Sequence, residues 1–239
     1  MKIALSGYGK MGKTIERIAK ERGHEIVARI TEGMDRHDLS QADVVIDFSV
    51  PEAAYENVIN GFRQGVPVVC GTTGWLDRYE DAATICKETG SAFIYASNFS
   101  LGVNLFFELN QHLARMMKKF HQYRVSIEEI HHTQKLDAPS GTAISLANQI
   151  IEEGNFKKWK LGEAAEDELP IVAKREENIP GTHTVSYDSD IDRIEIRHSA
   201  HSRDGFAMGA VIAAEWLKGR QGVFTMKDVL FLQERRIDI

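Results

Sequence analysis

Cysteine is scarce: Cys70 and Cys86 are the only two, too few for a disulfide framework and without metal-ligand spacing. A reducing compartment is the simplest home for such a chain, so the cytoplasm is expected. No apolar run approaches the roughly 18 to 20 residues that span a bilayer. The N-terminal stretch MKIALSGYGKMG turns to glycine too early for a secretory apolar core. Excess positive charge is lacking as well. The net charge of −6 at pH 7 argues against a general nucleic-acid or anionic-membrane binder, so neither partner is expected. Internal repeats and low-complexity segments are missing. What is present is ordinary globular composition, 239 residues of which 43% are hydrophobic and 27% charged. That length builds one large domain or two modest ones, and either buries a real core.

Short apolar runs alternate with helical periodicity through the first hundred residues. Lys2–Ser6 is apolar and ends in glycine, and Ile15, Ile18 and Ala19 then recur at helical spacing up to Gly23. Strands are expected at Glu25–Ile30, Asp43–Phe48, Val66–Cys70 and Ala92–Ala96, with Pro51 opening one helix and another running from about Trp75 to Glu88. Nearly continuous apolar strands separated by helices are what a parallel sheet covered on both faces requires. Residues 1–98 therefore read as a doubly wound α/β sheet.

The pattern changes after Asn98. A helix is expected from about Val103 to Phe120, a strand over Tyr123–His131 and a helix from about Ser140 to Glu153. Residues 154–181 are polar and read as an extended excursion. His183–Ser189 and Arg193–Ser199 alternate like antiparallel strands. Helical stretches over Ala207–Lys218 and Thr225–Gln233 close the chain. The expected organisation is a first domain of residues 1–98 and 209–239, with an α+β domain of residues 99–208 inserted into it.

Gly7-Tyr8-Gly9-Lys10-Met11-Gly12 fits G-x-G-x-x-G between an expected strand and an expected helix, the context in which that motif binds a dinucleotide. Glycines there let the backbone turn tightly and approach a pyrophosphate, whose charge sits at the helix N-terminus. The alternative is a plain strand–helix turn. About twenty residues on, Glu32 is placed to bond the ribose hydroxyls, and Arg29 to accept a 2′-phosphate instead. The alternation leaves NADH and NADPH both open. Gly71-Thr72-Thr73-Gly74 and Ala96-Ser97-Asn98-Phe99 end the fourth and fifth strands, where ligands of open parallel sheets sit. A Rossmann-type nicotinamide site is the reading.

The densest chemistry lies in Glu129-Ile130-His131-His132-Thr133-Gln134-Lys135-Leu136-Asp137-Ala138-Pro139-Ser140-Gly141-Thr142. Ser140, Gly141 and Thr142 open a helix, where free N–H groups and a hydroxyl hold an anion. Lys135 adds a positive charge, and a histidine is the usual proton donor near neutral pH. An ordinary turn with a helix cap is the plainer alternative. No metal is expected, because no third ligand lies within sequence reach.

This segment resembles the signature of the dihydrodipicolinate reductase (4-hydroxy-tetrahydrodipicolinate reductase) family. Further landmarks follow in order: V-I-D-F-S-V-P-E-A at 45–53, G-T-T-G at 71–74, S-N-F-S-L-G-V-N at 97–104, G-T-H-T-V-S-Y at 181–187 and I-R-H-S-A-H-S-R-D-G-F-A-M-G-A at 196–210. The resemblance spans almost the whole chain. It implies an NADH- or NADPH-dependent oxidoreductase of lysine and diaminopimelate biosynthesis, acting on a small cyclic dicarboxylate. It also implies a homotetramer whose inserted α+β domain serves substrate binding and oligomerisation. His131 resembles the proton donor and Lys135 its catalytic partner. His132, Ser140, Gly141, Thr142 and Arg203 resemble substrate-binding residues. Gly7, Tyr8, Gly9, Lys10, Met11, Gly12, Glu32, Gly71, Thr72, Thr73, Ala96, Ser97, Asn98 and Phe99 resemble the cofactor contacts.

Two other readings share the N-terminal half. A dehydrogenase of the aspartate-semialdehyde or homoserine type would not need the histidine–lysine run, and Cys70, inside an expected strand, is a poor nucleophile. A non-enzymatic NADH sensor would want a basic DNA-binding module that this acidic chain lacks.

Overall fold

The computed structural model describes residues 1–31, 38–154, 156–202 and 204–230. The chain divides into two compact units, Met1–Leu101 with Asp204–Ile239, and Gly102–Arg203.

The first unit is built on a six-stranded sheet. Its strands are β1 (Lys2–Ser6), β2 (Glu25–Ile30), β3 (Val44–Asp47), β4 (Val68–Cys70), β5 (Ala92–Tyr95) and β11 (Gly222–Phe224), in the spatial order β11-β5-β4-β3-β1-β2. Every pairing is parallel. Continuous burial explains the apolar runs: Val44, Val45 and Ile46 on β3 are at most 1% exposed. Helices α1 (Lys10–Glu21), α2 (Pro51–Arg63), α3 (Tyr79–Glu88) and α6 (Asp204–Leu217) pack on this unit. Helix α1 buries Ile15, Ile18 and Ala19 against Ile3, Leu5 and the small face of α6. Helix α2 buries Ala54, Val58 and Phe62 in a second cluster with Val45, Val68 and Phe93. Each such large side chain contributes about 1.5–3 kcal/mol. The chain leaves β1 to pair β2 on one side and crosses back to β3 on the other, so the strand order reverses between β1 and β3. Ligands of open parallel sheets bind beyond the strand ends at that point.

The second unit carries a five-stranded mixed sheet, in the order β10-β9-β6-β8-β7. Strand β6 (Arg124–His131) is central, flanked by antiparallel β9 (Gly181–Asp188) and parallel β8 (Glu168–Arg175). Strand β10 (Arg193–Ala200) pairs antiparallel with β9, and β7 (Lys158–Leu161) pairs parallel with β8. Helices α4 (Leu101–Met117) and α5 (Gly141–Glu153) contribute to its core. Helix α5 buries Ala143, Leu146, Ala147 and Ile150, the one-face spacing of an amphipathic helix. Along β6, Val125, Ile127, Glu129 and His131 are buried at alternate positions. The two apolar members of that set belong to the core that α5 joins.

Three expectations need correction. Residues 154–181 are not an excursion: they form β7 and β8, two strands of the sheet. Their polarity misleads because β7 is largely exposed and β8 buries only Leu169 and Ile171 on its inner side. The helix expected from Trp75 begins at Tyr79, after a short 3-10 turn at Leu76–Arg78. Ahead of the helix expected over Thr225–Gln233, Gly222–Phe224 is a sixth parallel strand; α7 covers Met226–Val229, and residues 231–233 of that expectation lie outside the described residues.

Candidate active site

Strand ends of the first unit bring the glycine loop and its neighbours together. Gly7 has φ +85°, and a Cβ there would lie 2.1 Å from the Phe48 carbonyl oxygen. A Cβ on Gly12 would lie 2.3 Å from the Gly7 carbonyl oxygen, so the turn closes only with glycine at both positions. Gly9 meets nothing within 4 Å, leaving open space above the backbone. It is the N-cap of α1, where no side chain caps the helix and no acidic residue occupies the first turn. An uncapped helix N-terminus beneath open space suits a pyrophosphate. The residues present therefore fit a dinucleotide.

Tyr8 turns away from that space. Its hydroxyl bonds the Glu16 carboxylate, and the Arg29 guanidinium lies over its ring, 5.6 Å from the centroid. Arg29 also grips Glu16 at both carboxylate oxygens, through Nε at 2.7 Å and Nη2 at 2.5 Å. This clamp holds the Glu16 carboxyl well below the usual carboxylate range, against its burial and with help from Lys20. Arg29 is thus already engaged within the unit. Glu32, the other expected ribose contact, lies outside the described residues.

Thr72 plays a different part from the one expected of it. It is 5% exposed, and its hydroxyl donates to Asp47 Oδ2 at 2.6 Å while accepting from the Ser49 N–H at 2.8 Å. The side chain therefore ties the loop after β4 to the loop after β3 from below. Asp47 is fully buried and also accepts from Asn57 Nδ2 at 3.0 Å. Burial pushes its carboxyl pKa up, opposed by these hydrogen bonds. Thr73 is exposed, as is Lys10, whereas Phe99 is 1% exposed with its ring in the core. Phe48, which sequence reasoning passed over, lies tilted against Phe99 at 5.8 Å. The carbonyl of Phe48 is the wall that forces glycine at position 7.

In the second unit Glu129 is a hub. It is fully buried, and both carboxylate oxygens accept from the Ser140 N–H, at 3.1 and 3.0 Å. His131 Nδ1 lies 3.4 Å from Oε2, His183 Nε2 3.7 Å from the same oxygen, and Arg175 Nη1 3.4 Å from Oε1. Ser140 Oγ caps α5 by accepting from the Ala143 N–H at 3.2 Å and shares a hydrogen bond with His183 Nε2 at 3.0 Å. The His131 and His183 rings meet edge to face at 5.0 Å. Burial lowers the His131 pKa to about 4, with His183, Lys135 and Arg175 acting in the same direction and Glu129 opposing. Burial by itself raises Glu129. The close His183 ring and the hydrogen bonds from the Ser140 N–H overcome it and hold the carboxyl at about 2.

Lys135 sits in the loop between β6 and α5, with Nζ 2.7 Å from both Asp137 carboxylate oxygens. Half-buried His132 precedes it and accepts the Lys135 N–H at its carbonyl oxygen. Gly141 opens α5 with nothing within 4 Å of where a Cβ would stand. The N–H groups of this first turn have no intrahelical acceptor. His131, Lys135, Ser140 and Gly141 thus gather around one helix terminus. Arg203 lies outside the described residues.

Sequence reasoning missed Glu129, Arg175 and His183 as members of the site. A signal existed for two: Glu129 and His183 share alternate positions with Ile127 and Val185, which face the core. From beyond sequence reach, β9 brings His183 to Glu129 and His131, their ligand atoms within 4.8 Å of one another. The Glu129 carboxylate is already taken by the Ser140 N–H and faces the Arg175 guanidinium, which disfavours a cation there.

Comparison with known proteins decides the family. The sequence model for the N-terminus of dihydrodipicolinate reductase matches residues 1–99, and that for its C-terminus matches residues 102–230. The chain belongs to the dihydrodipicolinate reductase family. The 4-hydroxy-tetrahydrodipicolinate reductase of Christiangramia forsetii is 63% identical over 233 residues, 96% of this chain and 98% of the relative. That of Methanopyrus kandleri is 42% identical over 200 residues, 80% of this chain and 72% of the relative. A solved structure, the dipicolinate-bound dihydrodipicolinate reductase of Paenisporosarcina sp. TG-14, superposes with a TM-score of 0.75 at 22% identity. It covers 94% of this chain and 97% of its own. That likeness extends the shared fold across both units of this family member. The resemblance read from the sequence and the doubly wound parallel sheet are both borne out.

Proposed function

We propose that the chain reduces 4-hydroxy-tetrahydrodipicolinate, with loss of its 4-hydroxyl as water, or dihydrodipicolinate derived from it by that loss, to tetrahydrodipicolinate with NADH or NADPH, in lysine and diaminopimelate biosynthesis. The observation that carries this reading is the anion cradle at the N-terminus of α5, held beside His131 and the Lys135 loop, in a chain that matches the family in both halves. The named activity of the Christiangramia relative supports it at 63% identity.

The nicotinamide, when bound, supplies the hydride. The chain's own residues bind, orient and protonate. Gly7 to Gly12 cradle the pyrophosphate, and Gly71, Thr72, Thr73 and Ala96 to Phe99 border the cofactor mainly through backbone. Glu32 remains a proposed ribose contact. Lys135 and the N–H groups of Gly141 and Thr142 hold one substrate carboxylate, with Ser140 fixing that helix turn and His132 and Arg203 completing the pocket. Holding the ring in one orientation accounts for much of the rate. His131 gives a proton to the electron-rich ring once hydride has arrived.

His131→Ala loses about 10² to 10⁴ in rate, chiefly in kcat; Lys135→Ala loses a comparable factor in kcat/KM with the substrate KM raised, and both keep cofactor affinity. Full activity in both variants would sink the assignment of these residues. The reaction itself is tested by mixing the protein with freshly generated precursor and following NADH and NADPH absorbance side by side. Precursor-dependent oxidation of either cofactor supports the reading, and oxidation of neither by folded protein discards it.

A homotetramer in the cytoplasm completes the proposal. The sheet face away from α5 supports assembly: it presents Ile130 and Val172, the latter 41% exposed, among threonines and ion pairs such as Lys174–Glu128. No helix among the described residues is long and apolar enough to cross a membrane. Light scattering at assay concentration reads the mass directly.

A further inference from the structure

Arg175 ends β8, the strand hidden in what reads as a polar excursion, and is half-buried. Its guanidinium reaches three parts of the site. Nε donates to the Lys135 carbonyl oxygen at 3.2 Å, and Nη2 donates to the Asp137 carbonyl oxygen at 2.6 Å. Nη1 faces Glu129 Oε1 at 3.4 Å and also donates to the Lys174 carbonyl oxygen at 2.8 Å. Glu129 in turn receives the Ser140 N–H at the start of α5. One planar cation therefore fastens the loop that carries Lys135 to the carboxylate that fixes the helix terminus.

We propose that Arg175 is a positioning residue for the reduction: it locks the Lys135 loop onto Glu129, so that the Lys135 ammonium and the α5 N-terminus grip the same substrate carboxylate. The inference rests on the proposed function above. Arg175 touches no reacting atom in this scheme and acts through Lys135. Substrate binding requires two donors from different elements to converge within fractions of an ångström. The loop between them, residues 132–140, has no regular secondary structure to hold it. A guanidinium supplies several donors in a fixed plane, which an ammonium cannot imitate, so lysine is not an adequate replacement.

The test uses the full-length protein and dipicolinate, a stable planar dicarboxylate, as binding probe. Arg175→Gln is expected to raise the dipicolinate Kd and the substrate KM about 10- to 100-fold, the range for leaving charge-assisted partners unpaired. The Kd for NADH, a ligand of the other unit, stays within about twofold of wild type. In the Lys135→Ala background the same substitution costs far less, because the group it positions is gone. Arg175→Lys recovers only part of the loss, and added guanidinium ion restores affinity to Arg175→Ala.

Unchanged dipicolinate Kd and KM in Arg175→Gln overturn the inference, as does full additivity with Lys135→Ala. Should Arg175→Gln not fold, Arg175→Lys carries the test: wild-type affinity in that variant overturns the inference. Wild-type protein that neither binds dipicolinate nor oxidises cofactor with the precursor overturns the proposed function instead.

Discussion

Burial keeps His131 neutral near pH 7, with its pKa lowered to about 4. A neutral imidazole is a weak proton donor, so the substrate must change the residue before it acts. Carboxylates within about 4–6 Å raise a neighbouring cation's pKa by roughly 1–3 units, and the bound dicarboxylate brings two of them. Binding of dipicolinate near pH 6 is therefore expected to draw a proton from solution, and His131→Gln to abolish that uptake. Calorimetry in two buffers of different ionisation enthalpy measures it. No uptake by the wild type would mean that His131 stays neutral in the complex and that the proton comes from elsewhere. At this scale the sequence was informative where chemistry is local. The His131, His132 and Lys135 run is continuous, and its residue types declare what they do. It was silent where the fold recruits from afar: Arg175 stands 40 residues from Lys135 and His183 stands 43 from Ser140, and a glutamate reads as surface charge until its alternate neighbours, Val125 and Ile127, are counted.

Among the elements, α6 shows how the first unit is closed by a segment about one hundred residues beyond its last N-terminal strand. It is apolar nearly all round, and Ala207, Ala210, Val211, Ala213, Ala214 and Leu217 are fully buried. Small residues let it approach closely: a Cβ on Gly209 would stand 1.7 Å from the Phe99 carbonyl oxygen. Phe99 follows β5 at the expected cofactor edge. Gly209→Ala forces either the helix or that loop to move, at a cost of about 1–3 kcal/mol for overpacking. A fall in the urea midpoint with a weaker NADH Kd is expected, while dipicolinate affinity holds. Stability equal to wild type would show that the helix has room to slide. Helix α6 was legible because its apolar periodicity is strong. Strand β11 was not, since its three residues, Gly222, Val223 and Phe224, carry too little pattern to separate from a loop. Strand β8 failed for another reason: an element whose outer side is exposed shows only half of its alternation as apolar residues.

For the whole molecule, the buried cluster of the second unit sets how stability answers to acid. His131 titrates near its ordinary value when unfolded and at about 4 when folded. The unfolded chain therefore binds the extra proton first, and stability falls as pH drops from about 6.5 toward 4. Between pH 7 and pH 5 this single group removes about 2 kcal/mol. Glu129 acts lower on the scale. Its folded pKa of about 2 lies beneath its unfolded one, so the stability it adds is present above about pH 4.5 and is lost as pH falls toward 2. The two windows barely overlap, which lets them be told apart. Urea unfolding at pH 7 and pH 5 is expected to show a loss in the wild type that is smaller by about 2 kcal/mol in His131→Gln. Equal losses would mean that His131 keeps an ordinary pKa in the folded protein. In that event it already carries a substantial protonated fraction near pH 6.5, and substrate binding recruits correspondingly less of a proton.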